Sequence, residues 1–175
     1  STSATPGHTT QFHFFLVNED VGPALPSFYL VDVPGLGYAE AEEGRQTSWR
    51  SLLERYLTVR SSLGVVFHLI DSRHGLTDTD KMQIDMTRRA IAARCQLSNN
   101  EGSLFEYCVV LTKADRAGTK ALRKTMRDVE EGTRELAEAL GRSGEGLQIL
   151  CTSSVERTGR EDVLRLLYQA TTNKD

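Results

Sequence analysis

The sequence predicts an α/β domain, a mainly parallel sheet with one antiparallel edge strand and helices on both faces. Two observations point there: short apolar runs alternate with segments of helical period, and several of those runs end in polar turns rich in Asp, Gly and Ser. A third places the edge, because Phe12 to Val17 and Phe28 to Asp32 lie too close together for a crossover and read as a hairpin.

The remaining elements follow in order. From about Thr47 to Ser61, Trp49, Leu52, Leu53, Tyr56 and Leu57 recur at helical spacing and make one apolar face. Gly64 to Asp71 reads as a buried strand, with His68 inside it as a hydrogen-bonded core histidine rather than a catalyst. A helix from about Asp78 to Cys95 leads to a polar surface loop, Leu97 to Ser103. Phe105 to Leu111 is the next buried strand and Gly146 to Cys151 a shorter one. Between them one long helix is predicted, roughly Thr119 to Leu140, stopped by Gly141, with Leu122, Met126, Val129, Leu136 and Leu140 facing inward. On its other side Lys120, Arg123, Lys124 and Arg127 share a face. A last helix, about Glu161 to Ala170, turns Val163, Leu164, Leu166 and Leu167 inward.

Bulk properties narrow the function classes. The 175 residues suffice for one domain with a buried core, and the 39% apolar and 26% charged shares are those of a globular chain. A net charge of -3 does not announce a nucleic-acid binder, so any basic surface is local. No apolar run approaches the roughly 18 residues of a membrane span, and no membrane or DNA partner is expected. Cys95, Cys108 and Cys151 show no metal-ligand pairing and read as small core hydrophobes.

Three turns carry the chemistry. Asp32-Val33-Pro34-Gly35 ends a strand, where open α/β folds bind ligands. A carboxylate there can hold Mg2+, and a Gly N–H can approach a terminal phosphate; an ordinary turn with its Asp capping a backbone N–H is the plain alternative. In Thr112-Lys113-Ala114-Asp115 the carboxylate can accept the N1–H and exocyclic amine of guanine, while the Lys113 stem lies along the base. A capping Asp beside a surface Lys is the alternative there. Cys151-Thr152-Ser153-Ser154 could offer backbone N–H groups to the guanine carbonyl and hydroxyls to brace Asp115. The order and spacing of all three are those of a Ras-like GTP-binding domain. Thr9 then stands where GTPases place a magnesium-ligating threonine, with Thr10 a rival and a loop threonine the alternative.

The neighbouring residues resemble one family, the EngB (YihA/YsxC) GTPases of the TrmE-Era-EngA-EngB-septin group. Pro6-Gly7-His8-Thr9 with Phe14-Phe15, Asp32 through Ala39, Trp49 with Tyr56 and Arg60, Asp71-Ser72-Arg73-His74-Gly75, Thr112 through Asp115, and Ser153-Ser154 through Thr158-Gly159 are similar to its motifs along nearly the whole chain. Leu36 departs from the family's Tyr and Thr10 from its Gln. The histidine of Pro-Gly-His-Thr and the extra length around Leu97 to Leu104 look more like eukaryotic organellar members. A mitochondrial matrix protein is therefore expected, with bacterial cytoplasm or plastid as alternatives.

The resemblance implies a Ras-like P-loop GTPase fold, GTP or GDP and Mg2+ as ligands, and a large ribosomal subunit precursor, both rRNA and proteins, as partner alongside other assembly factors. It places Thr9 and Asp32 on the metal. It places Thr9, Gly35, Thr112, Lys113, Asp115, Ser153 and Ser154 on the nucleotide. The family's Gly-x-x-x-x-Gly-Lys-Ser phosphate loop does not occur in the 175 residues. Residues 1–175 are accordingly expected to form a single G domain lacking its first strand and phosphate loop, inactive alone and a GTPase if that loop lies upstream. A non-hydrolysing pseudo-GTPase scaffold is the alternative. No catalytic residue is identified; Leu36 sits where Ras-type enzymes carry a water-orienting glutamine, which implies slow turnover stimulated by a partner. Lys120, Arg123, Lys124 and Arg127 are the candidate RNA contacts, a solvated charged face being the alternative.

Overall fold

The computed structural model describes residues 11–22, 25–35, 43–97 and 104–172, giving only the helix path for 43–47. Strands β1 (His13–Val17) and β2 (Phe28–Asp32) pair antiparallel, with Phe15 opposite Leu30. Helix α1 (Glu43–Val59) leads to β3 (Val65–Asp71), and α2 (Asp78–Leu97) to β4 (Glu106–Thr112). Helices α3 (Thr119–Gly132) and α4 (Arg134–Ala139), strand β5 (Gln148–Cys151) and helix α5 (Arg160–Thr172) complete the chain. The parallel sheet has the order β3-β4-β5, with Asp71 level with Thr112 and Leu111 level with Cys151.

Strand β4 is central and apolar on both faces, as a strand covered from both sides must be. On one face Tyr107, Val109 and Leu111 are buried with Ile84 and Ile91 of α2, Val129 of α3 and Leu136 of α4. On the other, Cys108 and Val110 meet Leu166 of α5. Burial pushes the Cys108 thiol up to about 12, and all three cysteines are free, consistent with small core hydrophobes. No helix among the described residues is long and apolar enough to cross a membrane.

Four details depart from the sequence expectations. Among the described residues the antiparallel pair does not join the parallel sheet: β1 and β2 form a two-stranded sheet of their own there. The long helix breaks at Thr133, whose φ of -104° and ψ of 3° leave the helical region. There the Thr133 hydroxyl donates to the Val129 carbonyl (2.8 Å), the back-bonding that bends helices, and Leu76 packs over Gly132. Leu52 and Leu164, expected inward, are exposed, since the covering elements reach only part of each helix's apolar stripe. Helix α1 also begins four residues before Thr47. The polar loop expected at Leu97 to Ser103 lies, from residue 98 on, outside the described residues.

His68 is the buried, hydrogen-bonded histidine that was expected. Its Nε2–H donates to Asp80 Oδ1 (3.1 Å), and its Nδ1 shares a hydrogen bond with the Tyr107 hydroxyl (2.6 Å). Asp80 also accepts the Thr77 N–H and hydroxyl at the start of α2, a capping arrangement that ties β3 to the helix. Burial raises the Asp80 carboxyl, but these donors outweigh it and hold the group below the ordinary carboxylate value. At the other end of α2 the buried Arg94 donates to the carbonyls of Leu57, Arg60 and Ser61, closing the C-terminus of α1, and lies 5.8 Å from the Phe105 ring centre.

Candidate guanine-nucleotide site

The carboxyl ends of β3, β4 and β5 are laced together. The Thr112 carbonyl accepts both the Ser72 N–H (3.0 Å) and the Ser72 hydroxyl (2.7 Å), and the Thr112 hydroxyl donates to the Ile70 carbonyl. On the other side the Thr152 N–H donates to the Leu111 carbonyl (2.8 Å) and the Ala114 N–H to the Thr152 carbonyl (3.0 Å). These bonds fix three turns relative to one another before any ligand arrives.

Within this frame Lys113 adopts φ 56° and ψ 37°, the left-handed conformation, and opens a single 3-10 turn, Ala114–Arg116. Its ammonium donates to Asp71 Oδ2 (2.9 Å). Asp71 is also held by Arg73, which donates from Nε to Oδ1 (2.9 Å), from Nη2 to Oδ2 (2.6 Å) and from its backbone N–H. The Arg73 guanidinium, aided by Lys113, keeps the Asp71 carboxyl well below the usual carboxylate range. Asp115 is exposed and, among the described residues, no hydrogen bond or ion pair engages it. It is an open acceptor.

Ser153 is buried, and both its groups are committed: the N–H donates to the Thr158 carbonyl (3.2 Å) and the hydroxyl accepts the Glu156 N–H (3.1 Å). It therefore shapes its loop, and among the described residues no hydrogen bond joins it to Asp115. The neighbouring Ser154 is exposed, and its N–H has no backbone partner among the described residues. The loop closes on Gly159, with φ +72°; a Cβ there would lie 2.2 Å from the Cys151 carbonyl oxygen. Only glycine allows that approach.

Asp32 ends β2 opposite His13 and is exposed, and its carboxylate has no partner among the described residues. Val33 and Pro34 line a small recess with Phe12, Trp49 and Leu53, which seats the turn against α1; Trp49 stacks on Phe12. Gly35 is exposed beyond them. Thr9 and Thr10, Leu36 and the Pro-Gly-His-Thr motif lie outside the described residues. A single exposed carboxylate fits Mg2+, which takes one or two carboxylates and completes its shell with water and phosphates. No cluster of three or more metal-ligating side chains occurs among the described residues.

On α3, Lys120, Arg123 and Arg127 are exposed and line, with Thr119, an open recess of about 420 Å³. Lys124 beside them is paired with Asp128 at 2.6 Å.

Comparison with known proteins gives the family. Residues 1–101 match the family model described as 50S ribosome-binding GTPase. A protein of Rhodopseudomonas palustris named "Probable GTP-binding protein EngB" is 37% identical over 162 residues, covering 89% of this chain and 67% of the relative. The chain belongs to the EngB family of GTPases. A namesake in Afipia carboxidovorans is 35% identical over 172 residues, covering 96% of the chain and 69% of the relative. For one in Bradyrhizobium diazoefficiens the covered share of the relative is 64%, so the chain spans about two thirds of the length of its EngB relatives. Among solved structures, translation elongation factor SelB of Methanococcus maripaludis, crystallised with the GTP analogue GppNHp, superposes with a TM-score of 0.56 at 17% identity, over 95% of this chain and 29% of that one. That likeness shows the α/β GTPase fold alone. Membership in EngB assigns the chain to GTP-binding proteins.

Proposed function

We propose that this EngB-family protein binds GTP with Mg2+, hydrolyses it as a conformational switch, and assists assembly of the large ribosomal subunit. The observation that carries the reading is the guanine-reading turn. Asp115 stands exposed and unengaged, while Lys113 and the 152–159 loop around it are already fixed. Asp115 accepts the N1–H and exocyclic amine of guanine, the Lys113 stem covers the base, and Thr112 and Ser153 hold the turns. Ser154 offers its N–H to the base carbonyl.

At the phosphate end, Asp32 and Thr9 handle Mg2+ and Gly35 meets the terminal phosphate. The ion when bound neutralises charge developing on the phosphates during transfer. Within the 175 residues no group is assigned to orient the attacking water, so turnover is slow until a partner supplies that group or orders the turn. The segments around Thr9 and Leu36 then report the nucleotide state.

The partner is a precursor of the large ribosomal subunit, its RNA phosphates met by Lys120, Arg123, Lys124 and Arg127. The exposed recess that Lys120, Arg123 and Arg127 line with Thr119 favours this, and the Lys124–Asp128 pair is a surface contact of small worth that a phosphate can displace. A mitochondrial matrix location is part of the same reading, supported by His8 and by the extra length around Leu97 to Leu104.

Nucleotide preference of the full-length protein is the test. Asp115→Asn shifts binding from GTP toward XTP; retained GTP preference would remove the guanine assignment. Reversing all four α3 charges weakens precursor association in a salt-dependent way, and unchanged association would remove the RNA face.

A further inference from the structure

The Asp71–Arg73 pair has no part in the reading above, yet it is joined to the guanine turn. Asp71 is level with Thr112 in the parallel ladder, and the left-handed backbone at the next residue folds the Lys113 side chain back across that ladder. Arg73 engages both carboxylate oxygens and leaves Oδ2 to take the lysine ammonium as well.

From this juxtaposition we infer that Asp71, held by Arg73, is a positioning residue for guanine nucleotides: it anchors the Lys113 ammonium so that the lysine stem is laid out as the floor of the base site before the nucleotide arrives. The inference rests on the guanine reading of the Thr112–Asp115 turn. A free lysine stem samples many rotamers, and ordering it on binding costs affinity. With its ammonium tethered, the stem is ordered during folding instead. The tether persists at any pH near neutrality, because Arg73 and Lys113 keep the Asp71 carboxyl ionised. A division of labour follows. Asp115 decides which base is accepted, and Asp71 sets how tightly any accepted base is held.

The experiment is a double-mutant cycle on the full-length protein, with GDP and XDP as probes and thermal unfolding measured alongside. Asp71→Asn should weaken GDP binding about tenfold, the worth of one immobilised long side chain. It should leave the ratio of GDP to XDP affinity unchanged, and in a Lys113→Ala background it should have no further effect. An effect of equal size in both backgrounds, or GDP affinity unchanged by Asp71→Asn, would overturn the proposal. Asp71→Glu, which keeps the charge within reach of both cations, should restore most of the binding. Should Asp71→Asn fail to fold, the unmodified protein still decides. Without nucleotide, the tethered Lys113 amine should be acylated more slowly than that of exposed Lys120, and equal rates would show there is no anchor. Asp115→Asn serves as the parallel control. If it fails to shift preference toward xanthine, the guanine reading has failed; if it shifts while the cycle shows no coupling, only the anchor has.

Discussion

The two sheets of this molecule are made of similar residues and stand in opposite surroundings. In β4, Val109 and Leu111 are fully buried, covered by α2, α3 and α4 on their face. In the hairpin, Phe15 is 52% and Tyr29 59% exposed, and Phe14, Leu16 and Leu30 are also open. The sequence His-Phe-Phe-Leu-Val is as apolar as Tyr-Cys-Val-Val-Leu, so apolar character alone does not say which strand is covered. Coverage comes from the helices that follow each strand of the parallel sheet. Among the described residues the hairpin meets α1 at its base, where Phe12 contacts Trp49 and Tyr56 and Val33 and Pro34 lie beside Trp49 and Leu53. Among the described residues, the end of the domain assigned to the base is the more deeply buried, and the end assigned to the terminal phosphate is the more exposed.

That contrast can be broken by substitution. Leu111→Ala, in the covered strand, should cost about 3 to 5 kcal/mol in denaturant unfolding, since it opens a cavity in a close-packed core. Gly159→Ala should cost about 2 to 4 kcal/mol, combining a positive φ with a collision against the Cys151 carbonyl, and should weaken GDP binding more than tenfold. Phe15→Ala should cost only about 1 kcal/mol, because half of its ring is already in water. A Phe15 effect as large as that of Leu111 would mean that the hairpin is covered in solution. Hydrogen exchange sharpens the same point: β4 amides should exchange only by global unfolding, and β1–β2 amides by local opening at least a hundredfold faster.

The smallest effect concerns acid. Asp80 has its carboxyl lowered in the fold, so its contribution is fully present above the ordinary carboxylate value of 3.8 and is lost as pH falls through its lowered value. Asp80→Asn should lower stability by about 1 kcal/mol at pH 7. It should also flatten the acid limb of the Tm profile below pH 3.8, where the wild type loses the same interaction. An unchanged acid limb would show that the His68–Asp80 contact adds nothing.

Much of this was legible in the chain. Strand β2 and the start of α2 fall where the pattern put them, because turn residues and helix caps mark their ends. Asp115 was singled out by its motif, and the structure leaves it exposed. What local pattern does not carry is register. Asp71 and Lys113 are 42 positions apart, and only the β3–β4 ladder puts the first level with the neighbour of the second. Arg94 likewise reads as a surface cation of an amphipathic helix, and is buried because it closes the end of another helix. The break at Thr133 was hidden because Leu136 and Leu140 continue the apolar period across it; the signal available was Gly132-Thr133, two weak helix formers in succession. Ser153 was singled out by position, while its acceptance of the Glu156 N–H depends on a loop geometry that no spacing rule encodes.

The left-handed backbone at Lys113 sets stability against the proposed function at one residue. A non-glycine side chain in that conformation costs about 1 to 2 kcal/mol, a cost that glycine would not incur. Lys113→Gly should relieve that strain and, on the proposed reading, remove the stem that covers the base, so a screen that rewards thermostability alone would select against the proposed nucleotide binding.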